Sequence, residues 1–247
     1  RAFVKIEDGC ENFCSYCIIP YTRGKVRSKK VNDVLEEVTA LVNNGHHEIV
    51  LTGIHTGHYG ADLENADFSD LLELICKIEG LERLRISSIE ITELNDKFLD
   101  VLSKNPIIVD HMHIPLQSGC DKTLKDMNRK YDVEYFINKI NAIRKIRPDI
   151  SITTDLIVGF PGESDEDFED TMDVLEKVRF EQVFSFKYSA RPLTPAATMP
   201  NQIDDAIASA RLTRLQSRHN EILDEIVAAK MGQVYEVYFE ELRADGM

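Results

Sequence analysis

Two periods of hydrophobic spacing alternate along the chain. Residues 2–6 read as a strand. Residues 31–44 then put Val34, Leu35, Val38, Leu41 and Val42 on one helical face before Gly45 ends the run. The same alternation pairs a strand over 47–52 with a helix over 68–78, and a strand over 83–87 with a helix over 94–103 that Asn95 caps. It continues with a strand over 109–114 and a helix over 133–146, then a strand over 150–158 and a helix over 165–178, and reaches a sixth strand over 182–186.

Consecutive strand-then-helix units require parallel strands joined by right-handed crossovers. Six such units fall short of the eight that close a full barrel. No GxGxxG turn follows the first strand, and chemically loaded residues follow several strands. The expected fold is therefore an α/β partial (β/α)6 TIM-like barrel with its site at the C-terminal strand ends. Pro192, Pro195 and Pro200 make residues 190–201 a loop. A long amphipathic helix is expected over 203–231, followed by an alternating strand over 233–240. One strand is not a domain, so that strand is expected to open a second, truncated module.

Composition narrows the class. A chain of 247 residues with 43% hydrophobic content is long enough to bury a core without covalent staples. A formal charge of -14 excludes a wholly basic nucleic-acid wrapper. No apolar run approaches the roughly 18 residues of a membrane span, and no signal segment opens the chain, so a cytoplasmic protein without a membrane partner is expected. The chain opens on Arg1, as a segment cut from a longer protein would.

The chemistry is concentrated in the cysteines. Three of the five, Cys10, Cys14 and Cys17, fall in the loop after the first strand with the spacing C-x3-C-x2-C. A secreted disulfide framework would be spaced differently. Clustered thiolates select zinc, copper(I) or iron–sulfur clusters. A structural zinc site requires a fourth ligand, and the sequence supplies no second CxxC pair. A four-iron cluster normally takes four Cys, so three leave one iron open for catalysis.

That spacing, with Tyr16 just before the last Cys and the loop placed after strand one, resembles the radical S-adenosylmethionine superfamily. Further stretches resemble its methylthiotransferases: Cys17-Ile18-Ile19-Pro20-Tyr21-Thr22-Arg23-Gly24, Leu51-Thr52-Gly53-Ile54-His55-Thr56-Gly57, His113-Ile114-Pro115-Leu116-Gln117-Ser118-Gly119, Met127-Asn128-Arg129, residues 154–163 and Tyr188-Ser189-Ala190-Arg191-Pro192. Residues 5–9, Arg27-Ser28 and residues 87–91 are most similar to the bacterial tRNA threonylcarbamoyladenosine members. Leu193 and Cys120 depart from the family pattern, which usually has Gly and Ser there.

The resemblance implies a radical S-adenosylmethionine core over 1–230, the start of a tRNA-binding TRAM domain over 231–247, and an N-terminal domain, carrying a second cluster, that is not included. It implies one 4Fe–4S cluster on Cys10, Cys14 and Cys17. S-adenosylmethionine would lie near Tyr16, Thr52, Gly53, Ser88, Gln117, Asp155, Val158 and Gly159. The implied reaction is methylthiolation at carbon 2 of N6-threonylcarbamoyladenosine at position 37 of tRNA, driven by an electron donor such as flavodoxin or ferredoxin. Alternatives are the isopentenyladenosine-tRNA enzyme, the enzyme that modifies an aspartate of ribosomal protein S12, and a non-catalytic zinc-stabilised binding module.

Charge placement bears on the substrate. Residues 1–30 hold seven Lys or Arg against three acids, a net of +4, which leaves -18 on the rest. Arg23, Lys25 and Arg27, with Lys29 and Lys30, form a basic run beside the cysteines, suited either to tRNA phosphates or to an ordinary solvated face. Cys76 lies among leucines and isoleucines and is expected in the core. Cys120, His55 and His113 adjoin the presumed site loops without an assignable role.

Overall fold

The computed structural model describes residues 1–239. Strand β1 (Ala2–Lys5) leads into β2 (Glu7–Asp8), the cysteine loop, α1 (Ile19–Arg23) and β3 (Arg27–Ser28). Then come α2 (Val31–Asn43), β4 (Glu48–Thr52), α3 (Phe68–Ile75), β5 (Arg83–Ile86) and α4 (Asp96–Lys104). The second half runs β6 (His111–His113), α5 (Asp121–Asp126), α6 (Val133–Ile146), β7 (Ser151–Val158), α7 (Asp165–Val178), β8 (Gln182–Lys187) and α8 (Asp205–Lys230).

All six main strands are parallel. β1, β4 and β5 form one ladder and β6, β7 and β8 another. The ladders meet where Leu84 bridges Ile108 and where the Ile89 N–H donates to His113 O. Spatial order therefore follows chain order, giving a curved six-stranded partial barrel whose first and last strands are not paired with each other. Among the described residues no helix is long and apolar enough to cross a membrane.

Alternation along the strands separates two layers. Val4, Ile49, Leu51, Leu84, Ile86, Met112, Ile152 and Leu156 are fully or almost fully buried in one core with Val34, Val38, Leu72, Phe136, Ile140, Phe168 and Leu175 from the helices. The opposite faces line the barrel and are mostly polar. Near the bottom the buried Glu48 carboxylate takes ion pairs from Arg1, Arg83 and Arg85 at 2.8, 2.9 and 3.2 Å.

Helix starts follow from side-chain caps. Asn95, Asp132 and Ser164 accept from the N–H of Phe98, Tyr135 and Asp167, and Asp67 with Asp70 forms a reciprocal box on α3. The strand expected over 233–240 does not form: residues 233–239 carry no regular structure and Val234 is 99% exposed, while Glu240 lies outside the described residues. Alternating apolar residues make a strand only when another strand takes their backbone groups, and no described strand pairs with these.

Candidate functional site: a thiol-lined cavity at the barrel mouth

The loop carrying the three thiols is pinned from both sides. Gly9 adopts φ +95°, and the Cys10 N–H donates to Gly24 O at 3.0 Å, closing the small β2–β3 hairpin. Across the mouth, the Ser15 N–H and hydroxyl donate to Met127 O and Asp126 O, and Asn128 Nδ2 donates to Phe13 O at 2.9 Å. The loop cannot drift, so its thiols face a cavity of about 440 Å³.

Cys10, Cys14 and Cys17 all line that cavity, together with Tyr16, Ser88, Gln117 and Asp155. Thr52, Gly53, Val158 and Gly159 lie outside its lining. Thr52 donates its hydroxyl to Val4 O at 3.3 Å. A Cβ on Gly53 would meet Glu7 Oε1 at 2.2 Å, so this glycine makes room for a buried carboxylate. Val158 is fully buried, and a Cβ on Gly159 would meet the Ala208 methyl at 2.6 Å, where α8 crosses.

Burial pushes the Cys10 thiol up to about 11, with Cys14 and Cys17 adding to the rise, and it raises Cys17 as well. Thiols crowded this way are costly to ionise unless a strong cation meets them. Among the described residues the three cysteines do not form a group whose ligand atoms all lie within 4.8 Å of one another, so at least one pair of sulfurs is farther apart than that. A single tetrahedral zinc draws its sulfurs to roughly 3.8 Å, whereas an iron–sulfur cube takes each thiolate on a different iron.

Arg129 is the most heavily engaged side chain in the cavity wall. Only 4% of its side chain is exposed, and it pairs with Glu90, donates Nη1 to Cys14 Sγ at 3.4 Å and donates Nε to Tyr131 Oη at 3.0 Å. Burial opposes its charge, but Glu90 and the neighbouring tyrosines outweigh burial and keep the guanidinium protonated. Opposite, His113 places Nδ1 2.9 Å from Thr153 Oγ1 and Nε2 3.3 Å from Asp155 Oδ2. Gln117 sits between them at φ +74°, its N–H donating to Asp155 O.

The residues that sequence reading left unassigned gather here too. His55 Nδ1 lies 3.8 Å from Cys10 Sγ, its ring stacks on His58, and both Nε2 atoms face Glu93 at 3.5 and 3.3 Å. Burial pushes the Glu93 carboxyl up, yet the two imidazoles hold it at about 2. Glu90 and Arg129 were visible only as members of the motifs 87–91 and 127–129. Cys120 is buried, its thiol donating to Asp167 at 3.2 Å, and Cys76 is half-buried at the end of α3.

The basic run is not free of acids in space. Asp8 sits within 2.9 Å of Lys5, 3.5 Å of Arg27 and 3.9 Å of Arg23. Arg27 also donates Nη1 to the carbonyls of Arg23 and Lys25, which makes it a brace for the turn. Arg23 and Lys25 have more freedom to meet a phosphate.

A family model described as the Radical SAM superfamily matches residues 4–175. A protein of Campylobacter curvus named tRNA-2-methylthio-N(6)-dimethylallyladenosine synthase is 54% identical across the whole of this chain, and one of Sulfurovum sp. with the same name is 50% identical. The chain spans 58% of the length of each. Among solved structures, a radical S-adenosylmethionine methyltransferase from Kitasatospora setae aligns with a TM-score of 0.66 at 17% identity, over 79% of this chain and 38% of that one. Coproporphyrinogen III oxidase from Escherichia coli aligns with a TM-score of 0.56 at 19% identity, over 95% and 53%.

Proposed function

The chain belongs to the radical SAM superfamily, and from that premise we propose that it is the core of a tRNA methylthiotransferase whose target adenosine already carries an N6-dimethylallyl group. The observation that carries the chemistry is the trio of thiols in one pinned loop, all facing a single cavity. The substrate rests on the relatives. The motifs at 5–9, 27–28 and 87–91 resemble threonylcarbamoyladenosine enzymes, but relatives 50–54% identical across the chain bear the dimethylallyl name, which favours the alternative over that expectation.

In this reading Cys10, Cys14 and Cys17 hold a 4Fe–4S cluster, and Tyr16, Ser88, Gln117 and Asp155 form the walls that hold S-adenosylmethionine. Together, when bound and supplied with an electron by a donor such as flavodoxin or ferredoxin, these groups provide the radical chemistry needed to remove an unactivated hydrogen from adenine. The chain's own residues do the positioning. Arg129 holds the Cys14 sulfur by a charge-assisted hydrogen bond, and Glu90 holds Arg129. Thr153 and Asp155 fix the His113 ring in the cavity lining. Tyr16, whose phenol burial keeps protonated, is part of the same lining. Arg23 and Lys25 at the rim are placed to meet phosphates of an RNA substrate.

The test is nucleoside mass spectrometry of tRNA from a host that lacks its own methylthiotransferases but makes both N6-modified adenosines, complemented with the full-length protein. A 2-methylthio group on dimethylallyladenosine, lost in Cys14→Ala, is the expected result. Modification of threonylcarbamoyladenosine instead would overturn the substrate, and no modified nucleoside of either kind would overturn the activity.

A further inference from the structure

The inner face of β8 carries two exposed aromatic rings. Parallel pairing sets Gln182 beside Thr153, Phe184 beside Asp155 and Phe186 beside Ile157. Partners in a ladder point to the same side of the sheet. Asp155 lines the thiol cavity, so Phe184 and Phe186 also face inward and climb toward the strand ends. The alternate residues agree: Val183 is buried toward the helices, and Ser185 accepts from Gln216 of α8. Phe184 and Phe186 are nevertheless 48% and 54% exposed.

Phe184 is tied directly to the site. Its ring meets that of His113 nearly edge to face, with centroids 5.6 Å apart and planes at 66°. Two rings left half open to water beside a cavity form an apolar surface that gains by being covered. Its surroundings select what covers it. A threonylcarbamoyl group carries a carboxylate and needs a cation; the inward arginines of β5, Arg83 and Arg85, both bond the buried Glu48, and Arg129 in the cavity wall is paired with Glu90. The charged neighbour in register with Phe184 is Asp155, which would repel a carboxylate. A branched hydrocarbon meets no such penalty.

We propose that Phe184 and Phe186 are the specificity wall of the site, receiving the branched five-carbon N6 substituent of the target adenosine while the adenine ring lies toward His113. This rests on the tRNA substrate proposed above and adds the residues that read its substituent. Recognition is by burial of apolar carbon, so it is independent of the basic rim that holds phosphates.

The full-length protein is titrated with three anticodon stem-loop RNAs that differ only at the target adenosine: unmodified, N6-dimethylallyl and N6-threonylcarbamoyl. The wild type is expected to bind the dimethylallyl RNA roughly 10- to 100-fold tighter than the unmodified one, the worth of burying two or three carbons. Phe184→Ser with Phe186→Ser should collapse that preference to within about 3-fold, leaving affinity for the unmodified RNA unchanged. Phe184→Leu should retain most of it. Iron content and circular dichroism verify that the variants fold. An unchanged preference in the double variant, or an equal loss of affinity for all three RNAs, would overturn the wall while the proposed substrate stands. A wild type that prefers the threonylcarbamoyl RNA, or none, would overturn the substrate itself.

Discussion

Gly9→Ala isolates what the hairpin before Cys10 contributes, provided that it is compared with Gly162→Ala. Both glycines have positive φ, +95° and +81°. An added Cβ costs roughly 1–2 kcal/mol at each from backbone conformation alone. Around Gly162 nothing lies within 4 Å of the new atom, so the cost ends there. At Gly9 the same atom would stand 2.0 Å from Lys25 O and 2.8 Å from Gly24 O, and backbone cannot swing away as a side-chain tip can. The Lys25 carbonyl must retreat, which breaks the Cys10 N–H bond to Gly24 O or the Arg27 bond to Lys25 O. Each is worth about 1 kcal/mol, so the total at Gly9 comes to about 2–3 kcal/mol if one is lost and about 3–4 kcal/mol if both are. That is survivable against a typical stability of roughly 5–15 kcal/mol. Urea unfolding of the apoprotein should show a loss larger by about 1–2 kcal/mol for Gly9→Ala than for Gly162→Ala. Iron bound after anaerobic reconstitution should fall in that variant alone, because Cys10 is displaced. Equal losses of stability with equal iron would refute the idea that this turn positions the thiol.

Other outcomes follow from the same geometry. Cys10→Ala, Cys14→Ala and Cys17→Ala should each lose the cluster while Cys76→Ala and Cys120→Ala keep it, as read by iron and sulfide per chain; retention in Cys14→Ala would sink the ligand assignment. Arg23→Ala with Lys25→Ala should lower the salt slope of tRNA binding by roughly 2 units, whereas Arg27→Ala should lower the unfolding midpoint and leave the slope nearly unchanged. Burial pushes the Asp167 carboxyl up, but Lys122, the Ser164 N–H and the Cys120 thiol hold it at about 2, below its ordinary 3.8. A depressed carboxyl contributes its stability above the unfolded value and loses it as pH falls through the folded one. Lys122→Met should therefore cost about 1–2 kcal/mol at pH 7 and progressively less between about pH 4 and 2, as followed by denaturant midpoints.

The barrel was legible because its elements obey simple periods. The expected bounds of α6 and α7 coincide with those observed, since a side-chain cap opens each and the apolar stripe runs unbroken to its end. The failure over 233–240 is equally physical. Val234, Tyr235, Val237 and Phe239 include good strand formers, but a strand is a relation between neighbours, and a pattern in one segment does not reveal a partner. The two-residue strands β2 and β3 escaped notice for the opposite reason: they are too short for any period, and what makes them is the turn geometry of Gly9 and Gly24.

The site divides along the same line. Cys10, Cys14 and Cys17 declare themselves by spacing within eight residues, whereas the Arg129 contacts with Glu90 and Cys14 span 39 and 115 residues and depend on how the strands are registered. Asp8 likewise returns to the basic run only when β2 folds against β3.

The substrate shows what local resemblance can and cannot carry. Glu7 and Asp8, Arg27 and Ser28, and Ser88 to Glu90 stand on β2, on β3 and just after β5, on the elements that flank the cysteine loop or line its cavity. In the reading proposed above, groups there serve the cofactor chemistry, which would be the same whichever adenosine is the target, so likeness at those positions speaks to the reaction. The N6 substituent is a separate problem, solved by whatever surface faces the adenine from the other wall. In the proposal above β8 supplies that wall through Phe184 and Phe186, aromatic carbon beside an acid. A site built this way can keep the surroundings of its cluster while changing the substituent it accepts through one strand, because the two surfaces meet at His113 and Asp155.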